Sequence, residues 1–312
     1  MTLPRNPHFD DDIVVWNDKY SGHYEPVAYD EQFDRQWRLF LEGEQGFRNH
    51  TGVETSDEYV DDRILELTGI PNVILKRRFG PAAGMVSNLT GRTKRQERRG
   101  IGGRLYLEPK FPIDAFKDKA CLDLGCGAGR WTRTLMALGA KVKSTDVSEN
   151  GLKSTRRFNS DVERVNLFDI IEQRPDLHRR FDFTLNWGVV MCTHDPKIAF
   201  ANVAQTVKPG GSLYLMVYAP TYHASEYVLT KRRHYHRVLK TSEERANYVL
   251  ELATNDRDNA INYHDMLNTF YNFCIDEDTI NKWCVDYGFE TPVYLNKDEP
   301  HKCAHHVLAK KL

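Results

Sequence analysis

The stretch that most constrains this chain is Ala120–Trp131, which reads ACLDLGCGAGRW. Small and apolar residues run into Asp123 and Leu124, and glycines then take the alternate positions 125, 127 and 129. Beyond them the spacing becomes helical, with Trp131, Leu135 and Leu138 on one side. The pattern predicts a strand, a tight turn and the start of a helix. Glycine opens backbone conformations closed to other residues and lets a ligand come close. The helix N-terminus that follows is expected to offer unpaired N–H groups to the polar end of that ligand.

The dinucleotide fingerprint G-x-G-x-x-G requires a glycine at position 130, where this chain has Arg130. Bulk properties narrow the reading further. With a net charge of −1 over 312 residues, any nucleic-acid or membrane surface must be local. No apolar run reaches the length of a membrane span. The opening MTLPRNPHFDDD lacks the apolar core of a secretory signal, and the six cysteines show no paired spacing. Reduced thiols and a cytoplasmic location are the expectation.

Upstream of the turn, Phe33, Trp37 and Phe40 recur at helical spacing, and a second helix is expected over 57–70, stopped by Gly69 and Pro71. From Lys76 to Arg104 nine cations, Arg95 and Arg99 among them, accompany a single acid, Glu97, in a glycine-rich context. This segment reads either as a solvated face or as a cradle for an anionic acceptor. Three regions are expected: an N-terminal extension, 1–111; a core, 112–218 with 276–312; and an insertion, 219–275.

Downstream, Lys141–Asp146 reads as a second strand ending in an acid, where a carboxylate can accept both ribose hydroxyls of a nucleotide cofactor. Taken with Leu122-Asp123-Leu124, the G-x-G-x-G turn resembles motif I of the class I S-adenosylmethionine-dependent methyltransferases. Further along, Phe181–Gly188 followed by Val189–Pro196, and then Val207-Lys-Pro-Gly-Gly211, resemble that family's later segments, in the same order. The resemblance implies a Rossmann-like α/β fold, a doubly wound seven-stranded sheet of order 3-2-1-4-5-7-6, and S-adenosyl-L-methionine as cofactor. It also implies cofactor contacts at Asp123, Gly125, Cys126, Gly127, Asp146, Val147, Asn166, Leu167, Asn186, Trp187 and Gly188. Asn166 stands where the family often has an aspartate that meets the adenine amino group, and its amide oxygen could accept there. One departure is that Met191 and Cys192 replace a pair of histidines, with His194 two residues later.

The resemblance further implies that the insertion forms a lid over the acceptor and that the F-x-x-x-W segment helps to cover the site. Trp37, Tyr222, Arg95 and Arg99 are the candidates for acceptor binding. His264, His194 and His223 are the candidate bases, with Asp265 as base or orienting partner. The alternating His301, Cys303 and His305 lack a fourth ligand, so no metal is expected. The expected partner is a small-molecule acceptor, possibly phosphorylated, and the leading reaction is O-methylation of a sugar, nucleotide sugar or glycan in carbohydrate biosynthesis. Three alternatives stay open: an RNA methyltransferase tracking phosphates with the basic segment, a nicotinamide-dependent dehydrogenase, and a non-catalytic cofactor-binding subunit.

Overall fold

The computed structural model describes residues 4–10, 12–47, 49, 51–80, 111–253, 257–299 and 302–312. The basic residues Arg95 and Arg99 therefore lie outside the described residues.

The core alternates strands and helices: β1 (Ala120–Leu124), α4 (Arg130–Ala137), β2 (Lys141–Asp146), α5 (Glu149–Thr155), β3 (Val162–Arg164), β4 (Phe181–Trp187), α6 (Pro196–Thr206) and β5 (Val207–Tyr218). Helix α10 (Glu277–Asp286) and the strands β6 (Val293–Tyr294) and β7 (Ala304–Lys310) complete it. The sheet has seven strands in the order β3-β2-β1-β4-β5-β7-β6. Strands β1 to β5 pair in parallel, and β7 runs antiparallel to β5 and β6. This is the Rossmann-like topology that the resemblance implied. The strand order reverses beside β1, so the carboxyl ends of β1, β2 and β4 open a crevice there.

Period-two alternation sorts each central strand onto two faces. Cys121, Phe183, Leu185 and Tyr214 join Trp131, Leu135 and Leu138 on one face. Leu122, Leu124, Leu213, Leu215 and Val217 join Phe200, Val203 and Trp283 on the other.

The N-terminal extension contributes to every apolar cluster. It supplies α1 (Tyr29–Glu42), α2 (Asp57–Thr68) and α3 (Val73–Phe79). Val60, Ile64 and Leu67 of α2 pack with Trp131, while Trp16, Tyr24 and Tyr29 enter the opposite face. The insertion carries α7 (Glu226–Arg233), α8 (Ser242–Leu252) and α9 (Arg257–Asn268). Leu39 and Phe40 of α1 form a third cluster with its Val228, Tyr235, Val249 and Leu267. The chain thus folds its first helix onto a late insertion, above the crevice.

Two local features shape the strand ends. Strand β5 begins at Val207 and carries Lys208-Pro209-Gly210-Gly211 within it. A register irregularity against Phe181 and Phe183 absorbs the extra residues, and Gly210 takes a φ of +74°. Beyond the end of β3 at Arg164, the chain makes a 3-10 turn (Leu167–Asp169) capped by the Asn166 side chain.

Candidate functional site

The glycine turn lies between β1 and α4, and its N–H groups are spent within the protein. Gly125 and Cys126 both donate to the Thr145 carbonyl, at 2.8 and 3.0 Å, and Gly129 donates to the Cys126 carbonyl at 2.9 Å. Gly127 donates to Asp146 Oδ2 at 2.8 Å, and the other carboxylate oxygen accepts from Ser148 N–H at 2.8 Å. At these positions the turn has no free N–H, and the helix N-terminus expected to offer them begins beyond it, at Arg130. The turn is pinned to the end of β2, and Asp146 is the pin. Burial pushes the Asp146 carboxyl above its ordinary range, and these backbone donors oppose that shift.

The glycines are required sterically. Gly125 has a φ of +81°, and a Cβ there would lie 2.2 Å from Val189. Gly127 has a φ of +51°, and its Cβ would lie 2.1 Å from the Trp37 ring. Helix α1 therefore reaches the turn through Trp37, and only glycine admits the indole.

Above the turn lies a cavity of about 710 Å³. Its volume falls in the usual range for small-molecule sites, about 300–1,000 Å³. One end is lined by Gly125, Cys126, Asp146, Val147, Leu167 and Phe168. Asn166 also lines it, but its Oδ1 accepts the Phe168 N–H at 3.0 Å. The oxygen keeps one lone pair and the NH₂ is unengaged among the described residues, so this amide could meet a ligand with either end. Trp187 and Gly188 line the middle, at the end of β4.

The other end is aromatic and comes from α1, β5 and the insertion. It includes Phe33, Trp37, Tyr218, Tyr222, His223 and Tyr263. The His223 and Tyr218 rings stack with centroids 3.7 Å apart. Burial, then the charge of Arg232, pulls the His223 pKa down to about 3, so the ring is neutral at physiological pH. Asp265 enters this end from α9, with Gln36 Nε2 of α1 donating to its Oδ1 at 2.6 Å. Burial pushes the Asp265 pKa up to about 7, against the lowering influence of Arg130.

Five of the expected site residues lie outside the cavity wall. Asp123 is fully buried and accepts from Thr132 Oγ1 at 2.6 Å, so it ties β1 to α4. Asn186 Nδ2 donates to the Leu124 carbonyl at 3.0 Å and braces the strand end from beneath. Gly127 faces Trp37, as described. His194 Nδ1 and the Tyr29 hydroxyl are hydrogen-bonded at 2.8 Å, and the His194 backbone N–H donates to that hydroxyl at 2.7 Å. It therefore holds Tyr29, itself a wall residue, in place. His264 is buried with Phe40 and Phe47 edge-on at 5.2 and 5.6 Å. On α9, Asp265 and its neighbour Met266 line the cavity, whereas His264 packs against the two phenylalanines instead.

The structure brings together several residues that the sequence reading did not single out: Tyr29, Gln36, Glu54, Arg130 and Tyr218. Arg130 was visible as the residue that breaks the dinucleotide fingerprint, and its position at the first residue of α4 was the signal. Gln36 sits one residue before Trp37, but nothing local marks it, because its partner Asp265 is 229 residues away. Among the described residues no group of acidic, histidine or cysteine side chains could hold a metal, and no helix is long and apolar enough to cross a membrane.

Comparison with known proteins gives a consistent picture. A family profile described as a methyltransferase domain matches residues 94–291. The ubiquinone biosynthesis O-methyltransferase of Chelativorans sp. (strain BNC1) is 29% identical over 156 residues, 46% of this chain and 62% of that protein. The protein of the same name from Rhizobium leguminosarum bv. trifolii (strain WSM2304) is 32% identical over 96 residues, 30% of this chain and 38% of that one. This chain therefore spans between 38% and 62% of these relatives' length. Among solved structures, an S-adenosylmethionine-dependent methyltransferase from Mesorhizobium loti aligns at a TM-score of 0.43 and 17% identity, covering 68% of this chain and 97% of that one.

Proposed function

The chain belongs to the methyltransferase-domain family, and from that premise we propose that this S-adenosylmethionine-dependent enzyme O-methylates a small polyhydroxylated acceptor, a sugar or nucleotide sugar, with Asp265 as general base. The cofactor fits the residues present. Each Asp146 oxygen accepts one protein N–H and keeps a lone pair, so the carboxylate would hold the ribose hydroxyls. Leu167 and Phe168 would flank the adenine, with the Asn166 amide hydrogen-bonding to its edge. When bound, the cofactor supplies a methyl carbon made electrophilic by its sulfonium.

The chain's own work is to orient, exclude water and take a proton. A hydroxyl acceptor must lose its proton as the new bond forms. Asp265 supports this role because it is a carboxylate at the aromatic end of the cavity, fixed by Gln36, with a pKa near neutrality. His223 is too weak a base, but as a neutral ring beside Tyr218 it would orient an acceptor hydroxyl by hydrogen bonding. His194 acts through Tyr29. The aromatic wall suits the apolar faces of a sugar ring and would also accept a phenol, the second reading, since rings stack on rings.

The observation that carries the proposal is Asp265 held by Gln36 at 2.6 Å in the aromatic half of the cavity. The test is methyl transfer from a labelled donor to panels of nucleotide sugars, free sugars and phenols. Turnover confined to sugar acceptors is expected. Turnover confined to phenols replaces the first reading with the second, and turnover confined to amines rejects both.

A further inference from the structure

The ionic groups that the described residues bring to this cavity are Glu54, Arg130, Asp146 and Asp265. Asp146 and Asp265 have roles above; Glu54 and Arg130 do not. They face each other across the cavity wall, with Arg130 Nη1 3.6 Å from Glu54 Oε1. That is an open contact. One turn further along α4, Arg133 closes on Asp57 at 3.0 Å, an ordinary brace between the extension and the core. Arg130 makes no closer side-chain contact among the described residues, and Glu54 Oε2 is buried without a hydrogen-bond partner. Burial disfavours the guanidinium charge, but Glu54 foremost, with Tyr59 and Asp265, holds it firmly protonated. A cation and an anion are thus kept side by side with hydrogen-bonding capacity unspent.

We infer that Arg130 and Glu54 form a clamp for a zwitterionic α-amino-acid group, the guanidinium taking the carboxylate and Glu54 the ammonium. This rests on the S-adenosylmethionine reading of the cavity, whose cofactor ends in such a group. The glycine turn supplies few donors of its own to such a group. Its N–H groups at 125, 126, 127 and 129 are already bonded within the protein, so a carboxylate arriving there cannot use them. Arg130 follows directly and supplies a planar fork of donors matched to a carboxylate. Asp146 pins the turn at Gly127 and Arg130 follows it at the start of α4, so different residues along one loop would take the ribose and the amino acid. Asp265, whose charge bears on Arg130, then lies toward the part of the cofactor that carries the methyl group.

The experiment is calorimetric titration of the full chain with S-adenosylhomocysteine and with 5′-methylthioadenosine, which keeps the nucleoside and sulfur but lacks the amino acid. Wild type is expected to prefer the first ligand by about tenfold or more, the worth of one charge-assisted pair. Arg130→Gln should remove most of that preference while changing methylthioadenosine affinity less than about twofold, since that ligand makes no contact with the clamp. Glu54→Gln should erode the same preference to a smaller degree. Retained methylthioadenosine binding also reports that each variant is folded. Parallel weakening of both ligands by Arg130→Gln would make the pair a structural brace and overturn the clamp, as would an unchanged preference. Wild type binding neither ligand would reject the cofactor reading itself, an outcome told apart from failure of the clamp because it precedes any substitution.

Discussion

The two halves of the cavity are held in different ways. The half around the glycine turn is fixed by backbone: Thr145, Asp146 and the turn bond to one another within about two dozen residues of chain. The aromatic half is fixed by side chains from remote segments. Gln36 on α1 holds Asp265 on α9, and Asn268 in turn donates to Gln36 at 3.4 Å. Arg232 of α7, fully buried, donates to the carbonyls of Met266 at 2.7 Å and Thr269 at 2.6 Å and so shapes the segment after Asp265. A backbone-built site tolerates change in its side chains, whereas a side-chain-built site is redefined by them. The first half suits a cofactor common to many enzymes, and the second suits an acceptor particular to one.

That contrast breaks most visibly at Asp265. Asp265→Asn should lower kcat by about 10²–10³, within the usual worth of a general base. Cofactor affinity should be largely spared, because Asp265 bears on Arg130 only through its charge and behind Glu54, and holds no part of the glycine turn. In the wild type, kcat should fall as pH drops through about 7, where the carboxylate takes up a proton and no longer accepts one from the acceptor. A full rate at pH 5, or a variant that loses cofactor binding along with turnover, would remove the base assignment.

The next effect lies on the other side. Asp146→Ala removes both the ribose acceptor and the pin of the turn, and S-adenosylhomocysteine should bind more than about tenfold more weakly, at least 1.4 kcal/mol. Unchanged affinity in calorimetry would show that the pin is only structural. A smaller effect tests where the halves meet. Gly127→Ala drives a methyl group into Trp37, at a φ of +51°, and should cost about 1–3 kcal/mol in chemical denaturation. Adding Trp37→Ala should recover the steric part of that loss but not the part due to backbone strain. If the double variant is simply the sum of the two single ones, the indole does not press on the turn.

The same contrast explains how far the sequence could be read. The central strands, the turn and the acid at Asp146 were legible because each is local: a periodicity, a glycine spacing, a strand end; the sheet order came from the resemblance alone. Trp37, Tyr222, His223 and Asp265 were legible only as residue types in a covering segment. What escaped was pairing over distance. No local pattern reports that Gln36 meets Asp265, or that Glu54 meets Arg130. Asn166 was legible as a polar group at a strand end, but its bond to the Phe168 N–H was not, because that depends on the 3-10 turn that follows. The choice between His264 and Asp265 was not legible for a related reason. Both are chemically suited to proton transfer, and only the rotation of α9, set by its packing on α1, decides which one faces the cavity.

That rotation yields the smallest expected effect and the sharpest control. His264 sits between Phe40 and Phe47 with its Nδ1 buried and without a hydrogen-bond partner, and burial, then Arg35, lowers its pKa to about 3. A buried polar atom with no partner costs about 1–3 kcal/mol, so an apolar side chain of similar size is tolerated or favoured there. His264→Leu should therefore leave kcat within about twofold of wild type, with a thermal midpoint no lower than that of the parent. Alongside a crippled Asp265→Asn, that result would assign the proton to α9's cavity face. A large loss of kcat in a variant that melts normally would instead mean that the helix turns on acceptor binding, and would carry the base one residue back along α9.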